Sequence, residues 1–324
     1  VSILFIIRKF YDYNGYNQVS NGLKTSARFV IDLLRQEGFK AKLVEAIDGN
    51  CIDRLVTEHK PRRVVLEAIW VTPTKLAELK RLHPHVKWTV RIHSELPFLA
   101  QEGVAISWIF EYLKMGVEVG FNSSQTVQDF KALGKAAYLP NYYPLRKPRP
   151  AQKATPVLNV GCFGAIRPLK NQLIQAFAAV EFAKVAGTKM TFHMNGTRIE
   201  QNGNNNLKNI QALIAAAGQT LELHPWLDHE DFLELVASMD ICLQVSNSES
   251  FCIVASDAVS MSVPLVGSSA IRWLPKISQA DVSSVKSITD AIHRTSATTV
   301  IMNHAALEAY LHQAREVWEA WALA

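Results

Sequence analysis

No run of residues in this chain is apolar for the ~20 positions that a membrane-spanning helix needs. The first apolar segment meets Arg8 and Lys9 too early to form a signal-peptide core. Cysteine is scarce: Cys51, Cys162, Cys242 and Cys252 lie far apart or on apparent core strands, and none forms a Cys-x-x-Cys pair. A structural zinc is therefore not expected, and the thiols read as reduced, in a cytoplasmic setting. No Asp-x-Asp pair occurs, so no metal site is expected either. Charge is moderate, at 19% of residues against 48% hydrophobic, which excludes a disordered chain. The 324 residues suffice for about two domains, each with its own core. Nothing in the sequence speaks to oligomeric state.

What the chain does have is an alternating pattern. Strands are expected near 2–7, 42–46, 63–69, 88–93, 117–121 and 137–139, with helices near 19–37, 52–59, 73–82, 97–115 and 124–133. Such βα alternation predicts a parallel sheet covered by helices on both faces. Four prolines among basic residues, from Pro144 to Pro156, break the rhythm and read as a stiff connector. The alternation then restarts, with strands near 157–162, 189–194, 220–223, 241–245 and 264–267. Helices are expected near 171–184, 207–217, 229–238 and 252–260, and residues 202–206 read as a polar loop. A last helix from about 305 to 321 puts Leu307, Tyr310, Leu311, Ala314, Val317, Trp318 and Trp321 on one stripe, suited to packing back on the first domain. The expected domains are 1–145, a linker at 146–156, a second domain at 157–300 and the final helix at 301–324. Both are Rossmann-like, doubly wound α/β domains facing each other across a cleft, with ligands outside the carboxyl ends of the strands.

Two segments carry chemistry. In the stretch from Ser248 to Asp257, Glu249 and Asp257 stand eight positions apart across a loop that runs from a strand into a helix. Carboxylates accept hydrogen bonds from sugar hydroxyls, and free amides at a helix start face phosphate oxygens. The same pattern also fits a helix cap near Ser248 with one solvated carboxylate. The second segment, Val160 to Asn171, runs from a strand through glycines to a helix start near Pro168, where Arg167 and Lys170 would meet a diphosphate. A plain basic surface explains that loop alone equally well, but both loops follow strands and should emerge on one sheet edge.

These residues resemble the group 1 retaining glycosyltransferases of the GT-B fold. Ser248–Val266 is similar to their acidic signature, Gly161–Asn171 to their phosphate loop, and His193–Gly196 to their glycine-ended strand. Leu139-Pro-Asn141 resembles their interdomain turn, and Thr89–His93 with Phe121–Ser124 two landmarks of their first domain. The chain departs from the family at Asp257, where Glu is usual, and at Ser250, where Gly is frequent. The resemblance implies a metal-independent transfer of a sugar, with retention, from a nucleoside-diphosphate sugar to a hydroxyl, with no other cofactor. Glu249 would bind the donor sugar, Asp257 the ribose, and Arg167 and Lys170 the leaving diphosphate. Amides near Ile253 and Val254 would add to that anion site, and His93 would face the sugar. Donor contacts would also come from Gly164, Asn195, Gly196, Trp226, Ser250, Phe251 and Cys252, and from Gly15 in the first strand–helix loop; Gly22 in the same loop would allow close approach.

The acceptor is less constrained. Residues 1–150 hold 22 Lys/Arg against 14 Asp/Glu, a net of +8, whereas residues 151–324 hold 12 against 15, a net of −3. Arg62, Arg63, Lys80, Arg81, Lys114 and Arg146–Arg149 could track phosphates, with Trp70, Trp88 or Trp108 for stacking. One expected partner is therefore DNA, as a hydroxymethylated pyrimidine acceptor. Glycan, lipid-linked and small-molecule acceptors stay open, as does a nucleotide-sugar epimerase of the same architecture.

Overall fold

The computed structural model describes residues 2–9, 21–146 and 156–324. Gly15 and most of the proline-rich connector (147–155) lie outside these residues. The chain forms two compact units, one of Val1–Pro144 with Leu311–Ala324, the other of Leu145–Tyr310.

In the first unit β1 (Ser2–Arg8) is apolar along almost its whole length because both of its faces are covered. Leu4 and Ile6 join Val64, Leu66, Val90 and Ile92 on one face, while Ile3 and Phe5 join Val30, Leu34, Val65 and Trp318 on the other. Around it lie α1 (Asn21–Gln36), β2 (Lys40–Ala46), α2 (Cys51–His59), β3 (Arg63–Glu67), α3 (Pro73–Leu82) and β4 (Lys87–Ile92). Then come α4 (Leu96–Leu99), α5 (Ala105–Lys114), β5 (Glu118–Phe121), α6 (Ser124–Phe130) and β6 (Ala137–Tyr138). All strand pairs are parallel, in the order β2-β1-β3-β4-β5-β6.

The second unit repeats the plan with β7 (Val157–Gly161), α7 (Gln172–Ala186), β8 (Lys189–Asn195), α8 (Gly203–Ala216), β9 (Thr220–His224) and α9 (His229–Ala237). It continues through β10 (Ile241–Gln244), α10 (Ile253–Ser260), β11 (Leu265–Gly267), α11 (Val285–His293) and α12 (Ala297–Leu323). Its parallel sheet runs β11-β10-β7-β8-β9. Phe192 and Met194 of β8 face a core of Ala176, Ala179, Ile210 and Ile288, so the odd-numbered residues of β8 face the other way.

Four expectations are corrected. The 97–115 stretch is two helices, because residues 100–104 turn between α4 and α5. The polar run 202–206 opens α8, since a helix start supplies free amides that suit Asn. Gly203 is required there: a Cβ would lie 2.1 Å from the carbonyl oxygen of Ile166. Near Pro168 the chain makes only a single 3-10 turn, Pro168–Lys170. Asn171 (φ 56°) then breaks it before α7, a left-handed conformation that Asn tolerates. The last helix starts earlier than expected and runs for 27 residues.

The end of α12 completes the first unit. Trp318 is fully buried, its Nε1–H donates to the Pro140 carbonyl at 2.8 Å, and the Arg91 guanidinium lies 5.2 Å from its ring. Trp318→Ala is expected to destabilise this unit by about 3–5 kcal/mol, the usual cost of emptying a core aromatic site. Denaturant unfolding followed by fluorescence and circular dichroism checks this; a loss below about 1 kcal/mol would mean that the helix end is not part of the core.

Candidate functional site

The strand order of the second unit places its crevice. The chain moves outward from β7 to β8 and β9 on one side and to β10 and β11 on the other, so the order reverses between β7 and β10. Loops leaving the carboxyl ends of these two neighbouring strands diverge and leave a crevice there, where ligands of doubly wound sheets bind. The loop after β7 carries Gly164, Arg167 and Lys170; the loop after β10 carries Glu249 to Cys252.

The structure brings Lys170 and Glu249 together. Lys170 Nζ donates to Glu249 Oε1 at 2.5 Å, with side chains 11% and 8% exposed. Burial opposes the Lys170 charge, but the Glu249 carboxylate outweighs it and holds the ammonium pKa above the ordinary lysine value. The backbone around the pair is tied down. Asn247 N–H donates to the Leu169 carbonyl at 2.9 Å, joining the two loops. Gln175 bridges them again, donating to the Lys170 carbonyl and accepting from Val245 N–H, each at 2.8 Å. Asn171 donates to the carbonyls of Val245 and Val282.

Gly164 has φ 115°, a conformation closed to most side chains, and a Cβ there would lie 3.5 Å from Lys170 Cε. Its N–H donates to Asn195 Oδ1 at 2.8 Å, so Asn195 at the end of β8 sets the glycine turn. Arg167 does not join Glu249; its Nη1 donates to Glu200 Oε2 at 3.0 Å. Glu200 also receives Arg198 Nε at 2.6 Å. Burial opposes the Glu200 charge, yet the two guanidiniums hold its pKa below the usual carboxylate range. The Arg198 guanidinium lies 5.1 Å from the Trp226 ring, and Gly196 N–H donates to the His224 carbonyl at 2.8 Å.

Asp257 sits within α10, 1% exposed, and His229 Nε2 meets its Oδ1 at 2.8 Å. Glu200 and His229 escaped the sequence reading, since neither belongs to a local motif; the one signal available was the position of His229 as the first residue of a helix. Cys252 precedes α10 at φ 67°, a strained conformation for a residue with a Cβ, and its Sγ donates to Gln244 Oε1. Phe251 turns inward, stacking on Tyr310 and accepting from Trp273 Nε1–H at its carbonyl. Phe251 and Cys252 thus hold the loop from beneath, and the half-buried Ile253 and Val254 begin the helix.

His93 lies in the first unit, just past β4. Its Nε2 hydrogen-bonds Glu67, and Asn122 Nδ2 lies 3.2 Å from its Nδ1. Arg91 grips Glu67 at 3.2 and 3.3 Å and also donates to Asn141 Oδ1 at 2.7 Å. Burial and then Arg91 keep the His93 pKa below the ordinary histidine value, against the pull of Glu67. A hollow of about 170 Å³ opens here, lined by Arg8, Glu67, Ile69, Trp70 and His93 among others. It sits where this sheet's own order reverses, between β1 and β3.

The cations grouped from sequence are partly engaged. Arg63 is buried with its guanidinium 4.6 Å from the Trp321 ring, Lys80 donates to the Met115 carbonyl, and Arg146 pairs with Glu230. Lys147 and Arg149 lie outside the described residues. Trp88 is core and Trp108 is packed against that core, whereas Trp70, packed there too, also lines the hollow. Among the described residues no helix is long and apolar enough to cross a membrane.

No family model and no curated protein sequence matches this chain. Solved structures do. A UDP-forming α,α-trehalose-phosphate synthase from Burkholderia xenovorans superposes with a TM-score of 0.64 at 11% identity, covering 100% of this chain and 98% of that one. Anabaena Alr3699/HepE, solved with UDP and glucose, gives 0.66 at 14% identity over 99% and 98%. The N-terminal domain of a Candida albicans trehalose-6-phosphate phosphatase gives 0.70 at 8% identity over 100% and 96%. At these identities the likeness establishes the fold, which is the GT-B fold of two Rossmann-like domains expected from the sequence.

The His229–Asp257 pair yields a pH prediction. Burial opposes the His229 charge, but the hydrogen bond to Asp257 and its negative charge outweigh that and raise the pKa. A raised folded-state pKa stabilises fully below the unfolded value of about 6.5 and loses that contribution as pH rises through the folded value. Wild type should therefore exceed His229→Ala in stability by a margin that shrinks on going from pH 6 to pH 9, measured by denaturant unfolding. A margin constant across that range would contradict the charged pair.

Proposed function

We propose that the second unit binds a nucleoside-diphosphate sugar and that the protein transfers the sugar, with retention, to a hydroxyl acceptor. The observation that carries this reading is the buried Lys170–Glu249 pair in the crevice between β7 and β10, set against the Gly164 turn. A carboxylate held at low exposure accepts hydrogen bonds from sugar hydroxyls, and the ammonium beside it meets the diphosphate as that group departs. The glycosyl–oxygen bond breaks toward an oxocarbenium-like state while negative charge grows on the diphosphate. Preorganised cations stabilise that charge, with Lys170 nearest and Arg167 held by Glu200 on the same loop. These side chains take the part that an Asp-x-Asp-bound cation plays elsewhere. Asp257, steadied by His229, would bind the ribose, and Trp226 would border the base. The neighbours with UDP in their names support the donor class.

For the acceptor we assign the hollow at His93 in the first unit, lined by groups that bind hydroxyls, and favour a small hydroxyl-bearing molecule. The engagement of Arg63, Lys80 and Arg146 speaks for this over a DNA strand, which needs cations available to its phosphates.

Incubating a donor panel with sugars, sugar phosphates, glycans and hydroxymethylated DNA, followed by mass spectrometry, tests the assignment. Transfer to one small acceptor is expected. Transfer to DNA alone would move the acceptor to nucleic acid, and an altered donor sugar with no acceptor present would mark an epimerase. Glu249→Gln keeps the volume and should lower kcat/KM by roughly 100- to 1000-fold, the scale of losing one preorganised polar group. Near-normal transfer by this variant would remove the central assignment.

A further inference from the structure

Away from the Lys170–Glu249 crevice, the second unit carries two histidines and a carboxylate on one sheet face. His193 lies on β8, and Glu222 pairs with it in register on β9, so the two side chains project to the same side. His224, two residues further along β9, projects to that side as well. Their ligand atoms converge: His193 Nδ1 is 2.9 Å from His224 Nε2 and 3.5 Å from Glu222 Oε2, and His224 Nε2 is 3.8 Å from Glu222 Oε1. Three donors bonded at about 2.0–2.2 Å around a four-coordinate ion stand roughly 3.3–3.5 Å apart. The observed separations, two of them to different oxygens of one carboxylate, run from 2.9 to 3.8 Å and lie on either side of that spacing.

A second feature distinguishes this cluster from a chance meeting of polar groups. His193 Nε2 lies 3.1 Å from Asn159 Oδ1, and that amide is oriented by its own partners. Asn159 Nδ2 donates to the Val157 carbonyl and to Asp240 Oδ2, and Asn159 N–H donates to the same Asp240 oxygen at 2.7 Å. The amide oxygen must therefore face His193, which places the imidazole proton on Nε2 and leaves the Nδ1 lone pair aimed at His224 and Glu222. A carboxylate–amide chain that fixes the far nitrogen is how proteins present a metal-ligating histidine. His193 is itself 6% exposed, while the Glu222 side chain is 55% exposed, so the cluster has a buried anchor and a route from solvent.

We propose that His193, Glu222 and His224 bind a first-row divalent cation of the zinc class, with a further position open to solvent. Two imidazoles and one carboxylate form a donor set that suits Zn²⁺, Co²⁺ or Ni²⁺ better than Mg²⁺ or Ca²⁺, which favour all-oxygen shells. The cation would fasten β9, the edge strand of this sheet, to β8. Its test uses no sugar donor.

The test is titration of the metal-stripped full chain with Zn²⁺ by calorimetry and with Co²⁺ by visible absorption. One equivalent of saturable binding is expected, with the intense d–d bands of a four- or five-coordinate Co²⁺ and displacement by Zn²⁺. Glu222→Gln lies on the surface and should weaken binding at least tenfold while leaving the unfolding transition of the metal-free protein in place. His224→Gln should do the same. Asn159→Ala, which releases the ring orientation without removing a ligand, should weaken it by about 10- to 100-fold. Absence of a saturable equivalent, or binding unaffected by both Glu222→Gln and His224→Gln, would overturn the proposal and leave an imidazole pair joined by an N–H···N hydrogen bond.

Discussion

The second unit is organised around one buried ion pair. Neither Lys170 nor Glu249 could be taken out of water alone without a cost of several kcal/mol, and removing one partner of such a pair typically costs about 3–5 kcal/mol. Each therefore requires the other, and the fold has to deliver both to one point. It does so through topology: β7 and β10 are neighbours in space although about eighty residues apart in sequence, and their loops leave the same edge. Much of the local detail serves that meeting. Gln175 and Asn171 stitch the two loops, Asn195 sets the glycine turn, and Gly164 supplies the positive φ of that turn.

The first unit solves a similar problem with more charges. Glu67 is fully buried between Arg91 and His93, and although burial opposes its charge, those two partners hold its pKa below the usual range. Arg91 extends the network to the carbonyls of Leu139 and Pro140, where Trp318 also donates. The hollow beside His93 is thus walled by groups whose positions are set by hydrogen bonds rather than by packing alone. In the second sheet the Lys170–Glu249 pair falls where the strand order reverses. The reason is geometric, since only there do successive loops part and leave backbone and side chains uncovered.

How much of this was legible in the sequence follows the range of each signal. The strands and helices were readable because burial imprints a period on consecutive residues, as in Leu4 and Ile6 against Ile3 and Phe5. Lys170 and Glu249 could be singled out because each lies in a compact motif. The partners of Arg167 and Asp257 could not: Glu200 reaches Arg167 across 33 positions, and His229 reaches Asp257 across 28. No local pattern encodes such pairings. The 202–206 run failed for a different reason, since the composition of a helix's first turn matches that of a loop. The charge count carries a third kind of signal. It registers Arg63 as one of many cations, whereas the fold sets that guanidinium against the Trp321 ring inside the unit.

Asp257 shows how a small departure in sequence is absorbed by the structure. A carboxylate one carbon shorter than the usual Glu reaches less far, and in α10 it is almost fully covered. Left alone, such a group would be driven toward its neutral acid. His229, arriving from the first turn of α9, supplies a hydrogen-bond partner to that carboxylate. The short side chain and the histidine are thus joined directly, at 2.8 Å. The left-handed step into α10 falls on Cys252, and the buried Sγ–Gln244 contact helps to hold it there.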